Sequence, residues 1–193
     1  MVMETARIAA EELSRLERDL NSFDAATRAT ALDSLLSHAQ EKPARLSAET
    51  VALNMHCHSF FSFNAFGHSP SSLAWLGKRS GFGLMGIVDF DVLDGVDEFL
   101  SACDQSGIRG TAGIETRVFV PEYTSQEINS PGEPGVCYHM GIGFPSGRVP
   151  DSVAPVLADL GRRAAERNQQ IISRVNAYLT PATVDYDRDV LPL

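Results

Sequence analysis

Several kinds of segment are missing from this 193-residue chain, and each absence excludes something. No stretch reads as a membrane span. The uncharged region from Thr50 to Gly77 is broken by Asn54, three histidines, several serines and Pro70. No Cys-x-x-Cys occurs, and the three cysteines, Cys57, Cys103 and Cys137, are odd in number and widely spaced. That argues against a disulfide framework and for a reducing compartment. Positive charge is in deficit: 16 Lys and Arg stand against 25 Asp and Glu, a net charge of −9. A phosphate-backbone binder needs a basic footprint, so nucleic acid is not an expected partner. There is no G-x-S-x-G, no phosphate-binding P-loop and no G-x-G-x-x-G after a strand. Glu4, Glu11 and Glu12 interrupt any apolar leader. A cytoplasmic protein with no membrane partner is expected.

What is present is enough apolar material, 44% of residues, for one sizeable core. Ala9, Leu13, Leu16 and Leu20 recur at helical spacing. A second helix is predicted from an Asp24 cap, with Ala25, Ala29, Leu32, Leu36 and Ala39 on one face. Residues 1–50 therefore read as an N-terminal helical extension, closed by a linker around Pro43. From residue 51 the rhythm changes to short apolar runs alternating with helical stretches. Strands are predicted near 51–56, 84–89, 110–120 and 136–143. Helices are predicted after a Ser69-Pro70 start, from about Asp94 to Gly107, and from Asp151 to about Tyr178. Residues 121–135 hold three prolines and two glycines and read as a loop. Strands alternating with helices predict a parallel sheet or barrel.

The chemistry gathers at the ends of the apolar runs. His56 and His58 close the first; on a strand, residues i and i+2 face the same way, so both rings can reach one ion. Asp89, Glu115 and His139 fall at or near the ends of the next three. In α/β folds ligands collect at the C-terminal ends of strands. Each residue taken alone has a plain structural reading. Asp89 can cap a turn, and His139 can be a hydrogen-bonded core histidine. Glu115 inside an apolar strand is harder to explain without a partner, because a lone buried carboxylate is costly. Jointly, imidazoles and carboxylates suit Mn, Zn or Fe better than Mg or Ca. Cys57 points away from the histidines and reads as a small buried hydrophobe. His38 reads as an ordinary helix residue, His68 as a loop residue beside the first pair, and Arg162, Arg163, Arg167 and Arg174 as a solvated helix face.

In this order the motifs resemble the PHP (polymerase and histidinol phosphatase) family. They are His56-Cys57-His58-Ser59, Ser69-Pro70, Ile87-Val88-Asp89-Phe90-Asp91, Gly113-Ile114-Glu115 and His139-Met140-Gly141. The resemblance covers about residues 51–180. It implies an α/β fold, a distorted (β/α)7 TIM-like barrel, incomplete in this chain and preceded by the helical hairpin. It implies a PHP-like hydrolase domain over 51–193 with one or two divalent ions. His56 and His58 would hold the first ion, Glu115 would bridge, and His139 would hold the other. Asp89 would ligate or orient the attacking water. The implied activity is hydrolysis of a small phosphorylated substrate, with metal-dependent amide hydrolysis or a non-catalytic metal-binding module as alternatives.

Two departures from the family pattern stand out. The second strand usually ends in T-D-H, whereas Val88-Asp89-Phe90 places a phenylalanine where a ligand would be, and Asn64 lies about where another ligand occurs. One metal position should therefore be weakened. Family members also carry a further His and a D-x-H near the C-terminus, but no histidine follows His139 here. The chain is accordingly expected to be the N-terminal portion of a longer protein.

Overall fold

The computed structural model describes residues 2–41, 46–62 and 66–190, without the side chains of residues 2–9. The chain falls into two compact units, Met1–Arg148 and Val149–Leu193. The first opens with helices α1 (Val2–Asp19) and α2 (Ala25–Glu41). Asp24 begins α2 as expected, its Oδ2 accepting from the Thr27 amide at 2.9 Å and the Thr27 hydroxyl at 2.6 Å. These bonds hold its carboxyl below the ordinary value. Leu16 from α1, Leu20 just past its end, and Leu32 and Leu35 from α2 join one core with Trp75 and Phe99. Each such side chain contributes about 1.5–3 kcal/mol on burial. The composition boundary near residue 50 is thus not where the compact units divide.

A buried ion pair ties the hairpin down. Arg28, 3% exposed, pairs through Nε and Nη2 with both carboxylate oxygens of Glu98 and donates from Nη1 to the Ser22 and Phe23 carbonyls. Glu98 in turn accepts from the Ser71 amide and hydroxyl. A buried guanidinium with every neighbour placed is costly to disturb, since losing one partner strands the other charge.

Four strands follow: β1 (Leu53–Cys57), β2 (Leu84–Phe90), β3 (Arg109–Phe119) and β4 (Val136–Ile142), in spatial order β1-β2-β3-β4. α3 (Pro70–Ser80) crosses from β1 to β2, and α4 (Val96–Ser106) from β2 to β3. Ser69 caps α3 by accepting from the Ser72 amide, Pro70 opens the helix, and Gly81 ends it at φ 74°. β1, β2 and β3 are parallel. Their helix-facing residues, Met85, Ile87 and Ala112, pack with Phe99 and Cys103 in the core.

β4 departs from the expected repeat. It pairs antiparallel with β3, Glu115 opposite Met140 and Thr116 opposite His139. The reason is the connection: between β3 and β4 lies a loop with one 3-10 turn, Pro121–Tyr123, and no crossover helix to return the chain for parallel pairing. At Gly113 β4 comes so close that an added Cβ would lie 2.0 Å from the Gly141 carbonyl oxygen. The result is a mixed α/β fold whose four-stranded sheet forms part of a barrel rather than a closed one.

The second unit consists of α5 (Ala154–Leu179) and a π-helical turn, Tyr186–Val190. Asn176 joins them with two 2.8 Å hydrogen bonds to the Val184 backbone. Among the described residues no helix is long and apolar enough to cross a membrane.

Candidate metal centre

Three of the predicted residues meet. His56 lies in β1, His58 just past its end, and Glu115 in β3. β1 slips by one residue against β2 between Asn54 and Cys57, and the Asn54 side chain accepts from the His56 amide at 3.1 Å. Both rings reach the Glu115 carboxylate. His56 Nε2 lies 3.0 Å and His58 Nε2 3.2 Å from Glu115 Oε2, and the two nitrogens are 3.3 Å apart. Bonds of about 2.0–2.2 Å to a shared ion would separate neighbouring donor atoms by roughly 3.0–3.5 Å, so this triangle fits one cation.

The donor chemistry supports the same fit. Two imidazole nitrogens and a carboxylate oxygen are all in mutual contact, and a single proton can satisfy only one pair among them. A divalent ion satisfies all three. Burial pushes the His58 imidazole below its ordinary value, an effect partly opposed by the Glu115 carboxylate, and so favours the neutral, ligating form. Glu115 is 4% exposed, which places the negative charge where an unpartnered carboxylate would be costly. Two neutral nitrogens and a carboxylate are the donors that Zn, Mn or Fe take.

His139 and Asp89 are not brought into this group. Directly opposed residues in an antiparallel pair share a face. The register puts Met140 on the Glu115 face and His139, opposite Thr116, on the reverse one. The second-ion role expected of His139 needs its side chain on the Glu115 face, and the register of β4 against β3 puts it on the other. Asp89 is 2% exposed, and both its oxygens are taken: Oδ1 accepts from the Ser59 amide at 2.6 Å and the Ser62 hydroxyl at 2.9 Å, and Oδ2 from the Ser59 hydroxyl at 2.6 Å. Sitting two residues beyond the core residue Ile87, it faces the helix side of the sheet. Its contacts tie it to the loop that leaves His58.

The remaining candidates take plain structural places. His68 Nδ1 lies 3.1 Å from the Ser72 hydroxyl and His38 Nδ1 2.9 Å from the Ser34 carbonyl. Burial raises the thiol pKa of Cys57 and pushes that of Cys103 up to about 12, so both are poor nucleophiles. Arg162 and Arg163 pair with Asp159 and Glu166 on an exposed face of α5. Asn64 lies outside the described residues.

What sequence reasoning missed is aromatic. The Phe90 ring stacks on His58, centroids 4.6 Å apart and planes 11° from parallel, and Tyr138 meets Phe90 at 5.8 Å. The available signal was alternation: Phe90, Glu115, Arg117 and Tyr138 share a face once the register is known.

No family model and no curated protein matches the chain. Solved structures do. An amidohydrolase from Chromobacterium violaceum, determined with sulfate and no metal, superposes with a TM-score of 0.53 at 19% identity, over 70% of this chain and 41% of that one. A protein from Bifidobacterium adolescentis described as a metal-dependent phosphoesterase gives 0.52 at 20% identity, over 71% and 42%. The likeness is one of fold. The chain spans about two-fifths of the length of these proteins.

Proposed function

We propose that this chain carries a metal centre of a PHP-type phosphoesterase, acting on a small phosphate ester. The observation that carries the reading is the convergence of His56 Nε2, His58 Nε2 and Glu115 Oε2 within 3.0–3.3 Å of one another at the C-terminal side of the sheet. A Mn, Zn or Fe ion held by His56, His58 and Glu115 would lower the pKa of water and polarise a phosphoryl oxygen. The protein's own contributions are separable. His56 and His58 present neutral nitrogens, Glu115 offsets the cation's charge, and Asp89 with Ser59 and Ser62 holds the loop that aims His58. Phe90 stacks on one face of the His58 ring. With His139 on the other face, the described residues supply one three-ligand position, which favours one ion per chain over two.

Likeness to a protein described as an amidohydrolase supports a second reading, amide hydrolysis at the same centre. The deciding experiment is Mn-dependent turnover of a generic phosphomonoester and of a simple anilide by the wild type and by His56→Ala/His58→Ala. Phosphate release by the wild type that disappears in the double variant supports the proposal. Anilide cleavage alone transfers the reading to amides. Bound metal with neither turnover reduces the centre to a binding module.

A further inference from the structure

The face that carries the three ligand atoms also carries a row of rings. β2 pairs Phe90 with Glu115, and β4 pairs Tyr138 with Arg117, so all four side chains stand on one side of the sheet. From the ligands outward the order is His58, Phe90, Tyr138, Arg117: centroids 4.6 Å apart, then 5.8 Å, then the Arg117 guanidinium 5.9 Å from the Tyr138 ring. α3 and α4 pack against the other side, through Ile87 and Ala112, so neither of them explains these rings as core. Phe90 and Tyr138 are each only partly buried.

The outer ring is held in place by two independent devices. The Asn129 side-chain amide accepts from the Tyr138 N–H at 2.8 Å and donates to its carbonyl at 3.1 Å, standing in for a neighbouring strand. Arg117, stacked over Tyr138, is anchored by Glu133, which also accepts from Ser130. Arg117 is thereby neutralised by its partner, so the outward direction from the ligands is apolar and flat before it is charged.

We propose that Phe90 and Tyr138 form the leaving-group subsite of the metal centre, selecting phosphate esters whose leaving group is planar and aromatic over aliphatic ones. The proposal rests on the metal-centre reading above. Aromatic contacts of this kind contribute about 0.5–1.5 kcal/mol beyond their buried area, roughly a 2- to 13-fold preference.

The test uses the Mn-loaded chain, titrated calorimetrically with phenyl phosphate and with ethyl phosphate, two monoesters of equal charge. The wild type is compared with Tyr138→Ala and Phe90→Leu, and bound Mn is measured on each. Phenyl phosphate is expected to bind the wild type about tenfold more tightly than ethyl phosphate. In Tyr138→Ala that ratio should fall to within about twofold of unity, while the ethyl phosphate affinity and the Mn content hold. Equal affinities in the wild type, or a ratio that survives in Tyr138→Ala, overturn the subsite and leave the metal centre standing. Absence of Mn-dependent binding of either ester overturns both. Phe90→Leu separates the ring's two contacts, because a loss of Mn there shows support of His58, whereas a lost ratio at full Mn content shows contact with the leaving group.

Discussion

Glu115 and Asp89 are two carboxylates on neighbouring strands, 4% and 2% exposed, on opposite sides of one sheet. Their surroundings differ in the sign of what faces them. Asp89 meets three donors, from the Ser59 amide and the Ser59 and Ser62 hydroxyls, and its charge is satisfied within the protein. Glu115 meets two imidazole nitrogens that a neutral ring can offer as lone pairs. Burial alone does not separate the two carboxylates; the groups that face each of them do.

The comparison breaks most visibly at Glu115. Glu115→Gln should reduce bound metal from about one equivalent to a small fraction, and any phosphoesterase rate by at least about 100-fold, since a carboxylate ligand becomes a weak neutral one. Elemental analysis beside an activity assay reads both effects. Asp89→Ala should act in the other currency. With three donors left facing a cavity, the fold should lose about 3 kcal/mol by urea unfolding, and metal affinity should weaken about 10- to 100-fold through a looser His58. Metal lost without any loss of stability would put Asp89 on the ligand side after all.

Proton competition sharpens the contrast further. The His58 imidazole is held below its ordinary value by burial, so the unfolded chain takes up a proton at higher pH than the folded one. The metal-free protein should therefore lose stability as pH falls through the ordinary imidazole range, and regain it as pH rises. Denaturation midpoints in the presence of a chelator, taken from pH 5 to 8, read the slope; a flat profile would mean that His58 is not shielded. Phe90→His tests whether the stacked ring occupies a vacant ligand position: bound metal per chain should rise, and unchanged stoichiometry counts against that assignment. His139→Ala should change metal content least of all, within measurement error, because its side chain belongs to the reverse face.

Much of this was legible without coordinates. Helical spacing of leucines, the Asp24 and Ser69-Pro70 starts, and the i, i+2 rule for His56 and His58 depend on local geometry, which a sequence states directly. Glu115 was legible because a charge inside an apolar strand demands a reason. The face on which His139 falls was not legible, because it is set by the register of β4 against β3, a property of the whole topology. The absence of a helix from the 121–135 segment was already a sign that the direction would reverse there. The surroundings of Asp89 were not legible for another reason: its partners, Ser59 and Ser62, sit some thirty positions earlier in the chain and look like ordinary loop residues.

The turn between α1 and α2 carries one more consequence. Leu20 gives its carbonyl to the Ser69 hydroxyl at 2.5 Å, and the Asn21 side chain accepts from the Ser69 amide at 2.9 Å, while Ser69 starts the helix that follows the loop leaving His58. A chain shortened to begin after the hairpin would remove those partners and expose Arg28's counter-ion Glu98 in the same stroke. Gene fusions, shuffling experiments and trimmed variants that preserve the sheet must therefore bring the first forty residues with them, because the hairpin is a fastening and not a tail.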